Sequence, residues 1–271
     1  MCIKIKSVLR YPGGKSRVVK TIRKYIPPHF EEFREPFVGG GSIFIALKQD
    51  LPDSVDFVIN DINPDVYLFW KYLKDDGEGF RNAVVSIKNR FDTGRELFNY
   101  YSNEEQEWND FERALRFFIL NRITFSGLVD SGGFSQESYE KRFTESIINK
   151  LVPLANLIKD IEITNKDYNH LLKEGRKDVF LFLDPPYFNS RDSKLYGKNG
   201  DFHKNFDHEN FAEKMKRCGH RWLITYDDSP EIRELFNFAH INCWNFSYGM
   251  TNAKKSKSRN GNELIITNYE I

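Results

Sequence analysis

The stretch VFLFLDPPY, residues 179–187, carries the strongest structural signal in the chain. Its first five residues, Val179–Leu183, are all apolar, which predicts a strand buried on both faces, as in a parallel sheet that helices cover. The residues that follow would then lie at the carboxyl end of this strand, where open α/β sheets bind their ligands. We therefore expect an α/β fold with a functional site around Asp184 and Tyr187.

The segment Asp184–Tyr187 is suited to holding an amine on a planar ring. Proline fixes φ and has no backbone N–H, so the carbonyl groups of this segment can point outward as acceptors. With the carboxylate of Asp184 they form a rigid set of acceptors beside the flat ring of Tyr187. Aspartate and proline are also common where a strand simply ends in a turn, so this segment alone leaves both interpretations open.

A second pattern, near the N-terminus, predicts a nucleotide-binding turn. A short strand over 33–37 is followed by Gly39–Gly41 and by an apolar helical stretch that begins at Ser42. Glycines at a strand-to-helix turn let the backbone approach a ligand closely. Asp61 follows a second strand and lies 20 residues after Gly41, the spacing at which an acid reaches ribose hydroxyls. A nicotinamide-dependent oxidoreductase would share these features.

A third motif, Tyr11–Ser16, has the sequence YPGGKS. It lacks the first glycine of a phosphate-binding loop, because Leu9 occupies that position. By itself this motif predicts only a Pro-Gly turn before a helix over 16–25.

Taken in chain order, these motifs resemble those of the Dam-type (α-group) DNA adenine-N6 methyltransferases, and the similarity extends over nearly the whole chain. The motifs that carry it are Tyr11–Lys15, Glu35–Ser42, Asn60–Asn63 and Asp184–Tyr187, with further similarity at 120–122, 126–128, 223–227 and 262–264. The resemblance implies a Rossmann-like S-adenosylmethionine-dependent methyltransferase sheet with helices on both faces, and a small helical target-recognition insertion.

The resemblance also implies a reaction. A methyl group passes from S-adenosyl-L-methionine to the N6 amine of an adenine flipped out of a short duplex DNA sequence, without a metal. The implied catalytic residues are Asp184, Pro185, Pro186 and Tyr187. The implied cofactor contacts are Tyr11, Lys15, Phe37, Gly39, Gly41, Asp61 and Asp184. The expected DNA contacts are Arg10, Arg122, Lys254, Lys255, Lys257 and Arg259.

Alternative functions remain open at this point. Within the same chemistry the accepting amine could belong to cytosine N4, to an adenine in RNA or to a protein glutamine, although aspartate at the first position of the Asp184–Tyr187 segment favours adenine in this family. A DNA-binding module without catalysis would share the recognition hairpin and the basic loop but would not need Asp184 and Tyr187.

The middle of the chain predicts a separate, helical unit. From about residue 72 the strand pattern stops, and Trp108, Phe111, Leu115 and Phe118 recur at helical spacing, which marks a core face. We expect a catalytic domain formed by residues 1–71 and 146–271, and a target-recognition domain at 72–145. The segment 121–142, rich in glycine, serine and aromatic residues, is expected to form a hairpin that reads a DNA groove.

Two residues of this hairpin bear on the target sequence. Relatives that methylate GATC have an asparagine before the Gly-Leu pair and an arginine two residues after it, where this chain has Ser126 and Asp130. A carboxylate cannot donate a hydrogen bond to guanine. We therefore expect a different short site that contains adenine.

The composition of the chain bears on its binding partners and its cellular compartment. The net charge of +1 does not by itself indicate a nucleic-acid partner. Residues 251–262, however, contain four cations and no acid, which predicts a loop that contacts phosphates or, alternatively, a solvated hairpin loop. No stretch has transmembrane length, and three scattered cysteines fit a reducing compartment. We expect a cytoplasmic monomer that acts on double-stranded DNA, does not contact membranes, and has any cognate restriction endonuclease on a separate chain.

Overall fold

A computed structural model describes residues 4–11, 13–103, 105–174, 177–188, 206–247 and 260–271. Within these residues one sheet contains the strands β1 (Glu32–Glu35), β2 (Asp56–Asn60), β3 (Glu162–Thr164), β4 (Val179–Leu183), β5 (Arg221–Asp227), β6 (His240–Ser247) and β7 (Asn260–Thr267). Their spatial order is β3-β2-β1-β4-β5-β7-β6. The first five strands pair in parallel, and β7 runs antiparallel to both β5 and β6.

The described helices pack on the sheet and on one another. They are α1 (Val19–Ile22), α2 (Ser42–Lys48), α3 (Pro64–Asp75), α4 (Gly77–Arg90), α5 (Gly94–Tyr101), α6 (Asp110–Ile123), α7 (Gln136–Arg142), α8 (Glu145–Ile148), α9 (Leu151–Leu157), α10 (His208–Arg217) and α11 (Pro230–Leu235). None of these helices combines the length and the apolar character needed to cross a membrane.

Strand β4 confirms the predicted burial on two faces. Phe180 and Phe182 pack into a hydrophobic cluster with α2 and α3, whereas Leu181 and Leu183 pack into a second cluster with α10 and α11. Successive side chains of a strand point to opposite faces, so a strand covered by helices on both sides must be apolar throughout. The predicted α/β fold with helices on both faces of the sheet is confirmed.

The chain between β2 and β3 is helical, from α3 to α9, and has an aromatic core. The ring of Phe69 on α3 stacks on Phe118 of α6 at 5.7 Å and contacts Phe80 of α4 at 5.8 Å between centroids. Leu115 and Phe118 are buried, which confirms the predicted core face. Helices α4 to α7 fall within residues 72–145, and the assignment of that range as a recognition domain stays a prediction.

The predicted helix over 16–25 was wrong in its extent. Only Val19–Ile22 is α-helical, between single 3₁₀ turns at Lys15–Arg17 and Arg23–Tyr25. Its β-branched residues lose side-chain freedom in a helix. The segment ends at Ile26, which is extended because it precedes proline.

The predicted hairpin over 121–142 was too long at both ends. Residues 121–123 complete α6, and 136–142 form α7, whose first turn begins where the Ser135 hydroxyl accepts from the Ser138 N–H at 3.1 Å. Between these helices, a single antiparallel bridge joins Thr124 to Phe134. We call residues 124–135 the 124–135 loop.

Candidate active site

The carboxyl ends of β1, β2 and β4 open on a cavity of about 680 Å³. All ten residues predicted for the cofactor and catalytic roles line it: Tyr11, Lys15, Phe37, Gly39, Gly41, Asp61, Asp184, Pro185, Pro186 and Tyr187. Parallel strands bring their carboxyl ends to one edge of the sheet, so motifs far apart in sequence meet there. The structure therefore brings the two predicted sites together as one.

The glycine turn after β1 packs beneath the ring of Tyr11. Gly39 has a φ of +42°, and a Cβ atom at this position would lie 2.6 Å from the Tyr11 ring. A hydrogen bond also stabilises the turn: the Trp70 indole N–H donates to the Gly39 carbonyl at 3.1 Å. The packing of this turn therefore requires glycine at position 39.

Asp61 is joined to the glycine turn. Its carboxylate accepts from the backbone N–H of Gly39 and from that of Asn63, each at 2.9 Å. Burial raises the pKa of Asp61 to about 6, and the two backbone hydrogen bonds oppose that rise. Each carboxylate oxygen still has acceptor capacity toward the cavity.

Asn60 holds the ends of three strands in position. Its side-chain amide donates to the carbonyls of Pro36 at 3.0 Å and Lys166 at 2.9 Å, and its oxygen accepts from Thr164 at 2.7 Å. These bonds join the chain after β1, β2 and β3. They fix the cavity wall that carries Asp61.

Glu35 is a cavity residue to which the sequence interpretation assigned no role. It is buried, and its carboxylate accepts from the Phe44 N–H in the first turn of α2 at 3.0 Å. Burial raises its pKa well above the usual value, and the charges of Asp184 and Asp61 raise it further. Its position at the end of β1, inside a motif that carried the resemblance, was the available signal.

Lys15 contacts the segment Asp184–Tyr187. Its ammonium is 2.9 Å and 3.0 Å from the two carboxylate oxygens of Asp184, and it donates to the Tyr187 hydroxyl at 2.9 Å. It also donates to the Gly13 carbonyl at 3.0 Å. The side chain of Lys15 is buried, so this cation is held between the two predicted catalytic side chains.

The predicted DNA contacts are placed less favourably. Arg122 is buried and donates to the carbonyls of Val8 at 2.8 Å and Arg142 at 2.7 Å, so its guanidinium is hydrogen-bonded inside the protein. Burial and the neighbouring cations lower its pKa. Arg10 is half-buried and donates to the Thr124 carbonyl at 3.0 Å. Lys254, Lys255, Lys257 and Arg259 lie outside the described residues.

A parallel sheet with an antiparallel β7, a glycine turn after β1 and an acid after β2 is the architecture of a Rossmann-like methyltransferase. The sequence model of the family described as "D12 class N6 adenine-specific DNA methyltransferase" matches residues 11–250. The chain belongs to this family.

Similar proteins agree with this membership. The type II methyltransferase M.MjaIII of Methanocaldococcus jannaschii is 24% identical over 98% of this chain and 100% of its own length. The type II methyltransferase M1.LlaDCHI of Lactococcus lactis subsp. cremoris is 24% identical over 98% of this chain and 96% of its own. A DNA adenine methylase of Vibrio cholerae is 26% identical over 95% of this chain and 92% of its own. The predicted resemblance and the prediction of a site-specific, adenine-specific DNA methyltransferase are confirmed.

Proposed function

We propose that this chain transfers the methyl group of S-adenosyl-L-methionine to the N6 amine of an adenine flipped out of a short duplex DNA site. One observation carries the proposal: the segment Asp184–Tyr187 lines the same cavity as the glycine turn and Asp61. A volume of about 680 Å³ falls in the range of small-molecule and cofactor pockets. One cavity can therefore hold the cofactor and admit the target base beside it.

The residues of the cavity fit this cofactor. Its sulfonium and ammonium groups are cationic, and the carboxyl groups of Asp61 and Asp184 line the cavity. Asp61 would accept from the ribose hydroxyls. Phe37, whose ring lies 5.5 Å from that of Tyr168, offers apolar surface to the adenine or methionine portion. When bound, the cofactor supplies an electrophilic methyl group.

The catalytic segment acts on the target amine. The N6 lone pair of adenine is delocalised into the ring, which makes the amine a poor nucleophile. Asp184 and the Pro185 carbonyl would accept hydrogen bonds from the two N6 protons and so draw the nitrogen toward tetrahedral geometry. The carboxylate of Asp184 would also stabilise the positive charge that develops on the nitrogen. Tyr187 would stack on the base, which must leave the duplex to reach the cavity.

The 124–135 loop is the part of the proposed recognition domain that adjoins the cavity. The Asn121 side chain accepts from the Arg10 N–H at 2.8 Å and donates to the Gly127 carbonyl at 3.0 Å. This places the loop beside Arg10, the neighbour of Tyr11 in the cavity wall. At the loop, Phe125 is 61% exposed, and an exposed aromatic ring is a stacking surface for bases.

We expect Phe125→Ala to weaken DNA binding by about 10- to 100-fold, since base–aromatic stacking contributes about 1–3 kcal/mol. Cofactor affinity and melting temperature should not change, because the ring is exposed and lies outside the cavity lining. Fluorescence anisotropy with a methylatable duplex measures DNA affinity. A thermal-shift assay with and without the cofactor measures the melting temperature and the effect of cofactor binding. Unchanged DNA affinity would remove the loop from the proposed interface.

We expect cofactor affinity to fall as the pH decreases through about 6, by up to tenfold per pH unit. The pKa of Asp61 is raised to about 6. Asp61 is therefore fully ionised, and best able to accept from the ribose hydroxyls, only above this pH. Titration calorimetry between about pH 5 and pH 8 measures the effect. The Asp61→Asn variant should lose this transition, and a variant with the wild-type profile would assign it to another group such as Glu35.

The same proposal covers the roles of the two domains, the cellular location and the oligomeric state. Residues 1–71 and 146–271 would carry catalysis, and 72–145 would select the target. We infer a cytoplasmic monomer, with a cognate endonuclease on a separate chain where one exists. Relatives named type II methyltransferases support the link to restriction and modification.

The proposal is tested by modification-sensitive sequencing of unmethylated duplex DNA after incubation with the protein and S-adenosylmethionine. N6-methyladenine in one recurring motif would support it and identify the site. Methylation of cytosine, or of RNA alone, would contradict the assigned substrate.

A further inference from the structure

Strand β5 lies beside the segment Asp184–Tyr187 and contacts its first residue and the residue that follows it. β4 and β5 are parallel neighbours in which Leu183 pairs with Ile224, so the next residues, Asp184 and Thr225, are also adjacent. The Thr225 hydroxyl donates to Oδ1 of Asp184 at 2.7 Å. Two residues further along, Oδ1 of Asp227 accepts from the Phe188 N–H at 2.8 Å. Residues two apart on a strand share a face, so β5 contacts the chain at Asp184 and again at Phe188.

The hydroxyl of Thr225 is a buried hydrogen-bond donor. The residue is completely buried in the sheet, and a buried hydroxyl needs a hydrogen-bond partner. Its one O–H donor is directed at Asp184. The side chain is also stiff, because threonine is branched at Cβ. It is therefore a fixed donor on a rigid element.

The carboxylate of Asp184 needs such a donor. The terminal torsion of an aspartate is broad and has no sharp preference, whereas a catalytic group must be held within about 0.5 Å of its working position. Lys15 lies at similar distances from both carboxylate oxygens, 2.9 Å and 3.0 Å, and so distinguishes them weakly. Thr225 bonds Oδ1 alone, so its hydroxyl distinguishes the two carboxylate oxygens.

We propose that Thr225 is a positioning residue for methyl transfer: its hydroxyl fixes the rotation of the Asp184 carboxylate and directs Oδ2 to the adenine N6. The inference rests on the proposed role of Asp184. It adds a residue that acts through another side chain and does not itself touch the substrate.

The test compares Thr225→Val, which keeps the shape and removes the donor, with Thr225→Ser, which keeps the donor. We expect the valine variant to lower kcat by about 10- to 100-fold, the factor that corresponds to losing a hydrogen bond to a charged group. The KM for DNA and the Kd for the cofactor should stay within about threefold, and the serine variant should recover most of kcat. If the valine variant is unfolded, Thr225→Ala takes its place.

Thr267→Val is the matched control. Thr267 is also completely buried in the sheet, on β7, but its hydroxyl donates to the Tyr269 carbonyl at 2.8 Å, away from the cavity. It should lose stability to a similar degree and keep its kcat. An equal fall in kcat for both valine variants, or for Thr225→Ser, would overturn the positioning role, as would wild-type kcat in Thr225→Val.

Asp184→Ala separates this inference from the proposed function. If Asp184→Ala retains turnover, the proposed mechanism fails and the role of Thr225 fails with it. If Asp184→Ala is inactive while Thr225→Val turns over normally, only the role of Thr225 fails.

Discussion

Replacing Asp184 by alanine is expected to lower kcat by about 10³-fold, the upper range for removing one group that stabilises charge in a transition state. Asp184 is the only carboxylate of the Asp184–Tyr187 segment, and two side chains direct their donors at it: Lys15 at 2.9 Å and Thr225 at 2.7 Å. Neither can replace it, because the Lys15 ammonium can only donate and the Thr225 hydroxyl has no negative charge to stabilise the cation that develops on the amine. Single-turnover methylation of duplex DNA measures the loss of the chemical step.

The fold should survive this substitution. Asp184 is partly exposed to the cavity, with 22% of its side chain accessible, and the apolar run of β4 that precedes it is unchanged. Asp160→Asn, which alters the ion pair with Lys48 outside the cavity lining, is the control and should keep full activity. Retained turnover in Asp184→Ala, with a normal melting temperature, would contradict the mechanism.

Replacing Asp61 by alanine is expected to weaken cofactor binding by about 100-fold or more. The change removes the acceptors proposed for the ribose, and each hydrogen bond to a charged group contributes about 1.5–3 kcal/mol. It also releases the N–H groups of Gly39 and Asn63, each now bound at 2.9 Å. The glycine turn would then lose its link to the end of β2. Calorimetric titration with the cofactor measures the affinity directly.

Asp61→Asn distinguishes these two contributions. It keeps one acceptor oxygen and should lose less affinity than the alanine variant. It should not destabilise the cofactor-free protein through lost charge, because burial raises the pKa of Asp61 and so the ionised form costs free energy of folding above its ordinary pKa. Equal, wild-type affinity in both variants would remove Asp61 from the cofactor site.

Local sequence patterns were sufficient to predict the secondary-structure elements around the cavity. The apolar run Val179–Leu183 has one stable environment, a strand covered on both faces, and the structure has β4 over the same residues. The pattern of strand, glycines and helix also predicted the turn before Ser42. The structure adds that the glycines there are needed for left-handed backbone and close packing. The 16–25 helix and the 121–142 hairpin were mistaken in extent, because capping and packing decide where an element ends.

The sequence by itself determined the order of the motifs, the strand ends on which they lie and the chemistry of their side chains. These follow from periodicity and residue type, which act over a few positions. Only the tertiary structure decided their partners: Lys15 binds Asp184 across 169 positions of sequence, and Thr225 binds it across 41. The tertiary structure also buries Arg122, which the sequence had predicted to be a DNA contact. Such contacts depend on which strands become neighbours in the sheet, and that choice is a property of the whole packed core.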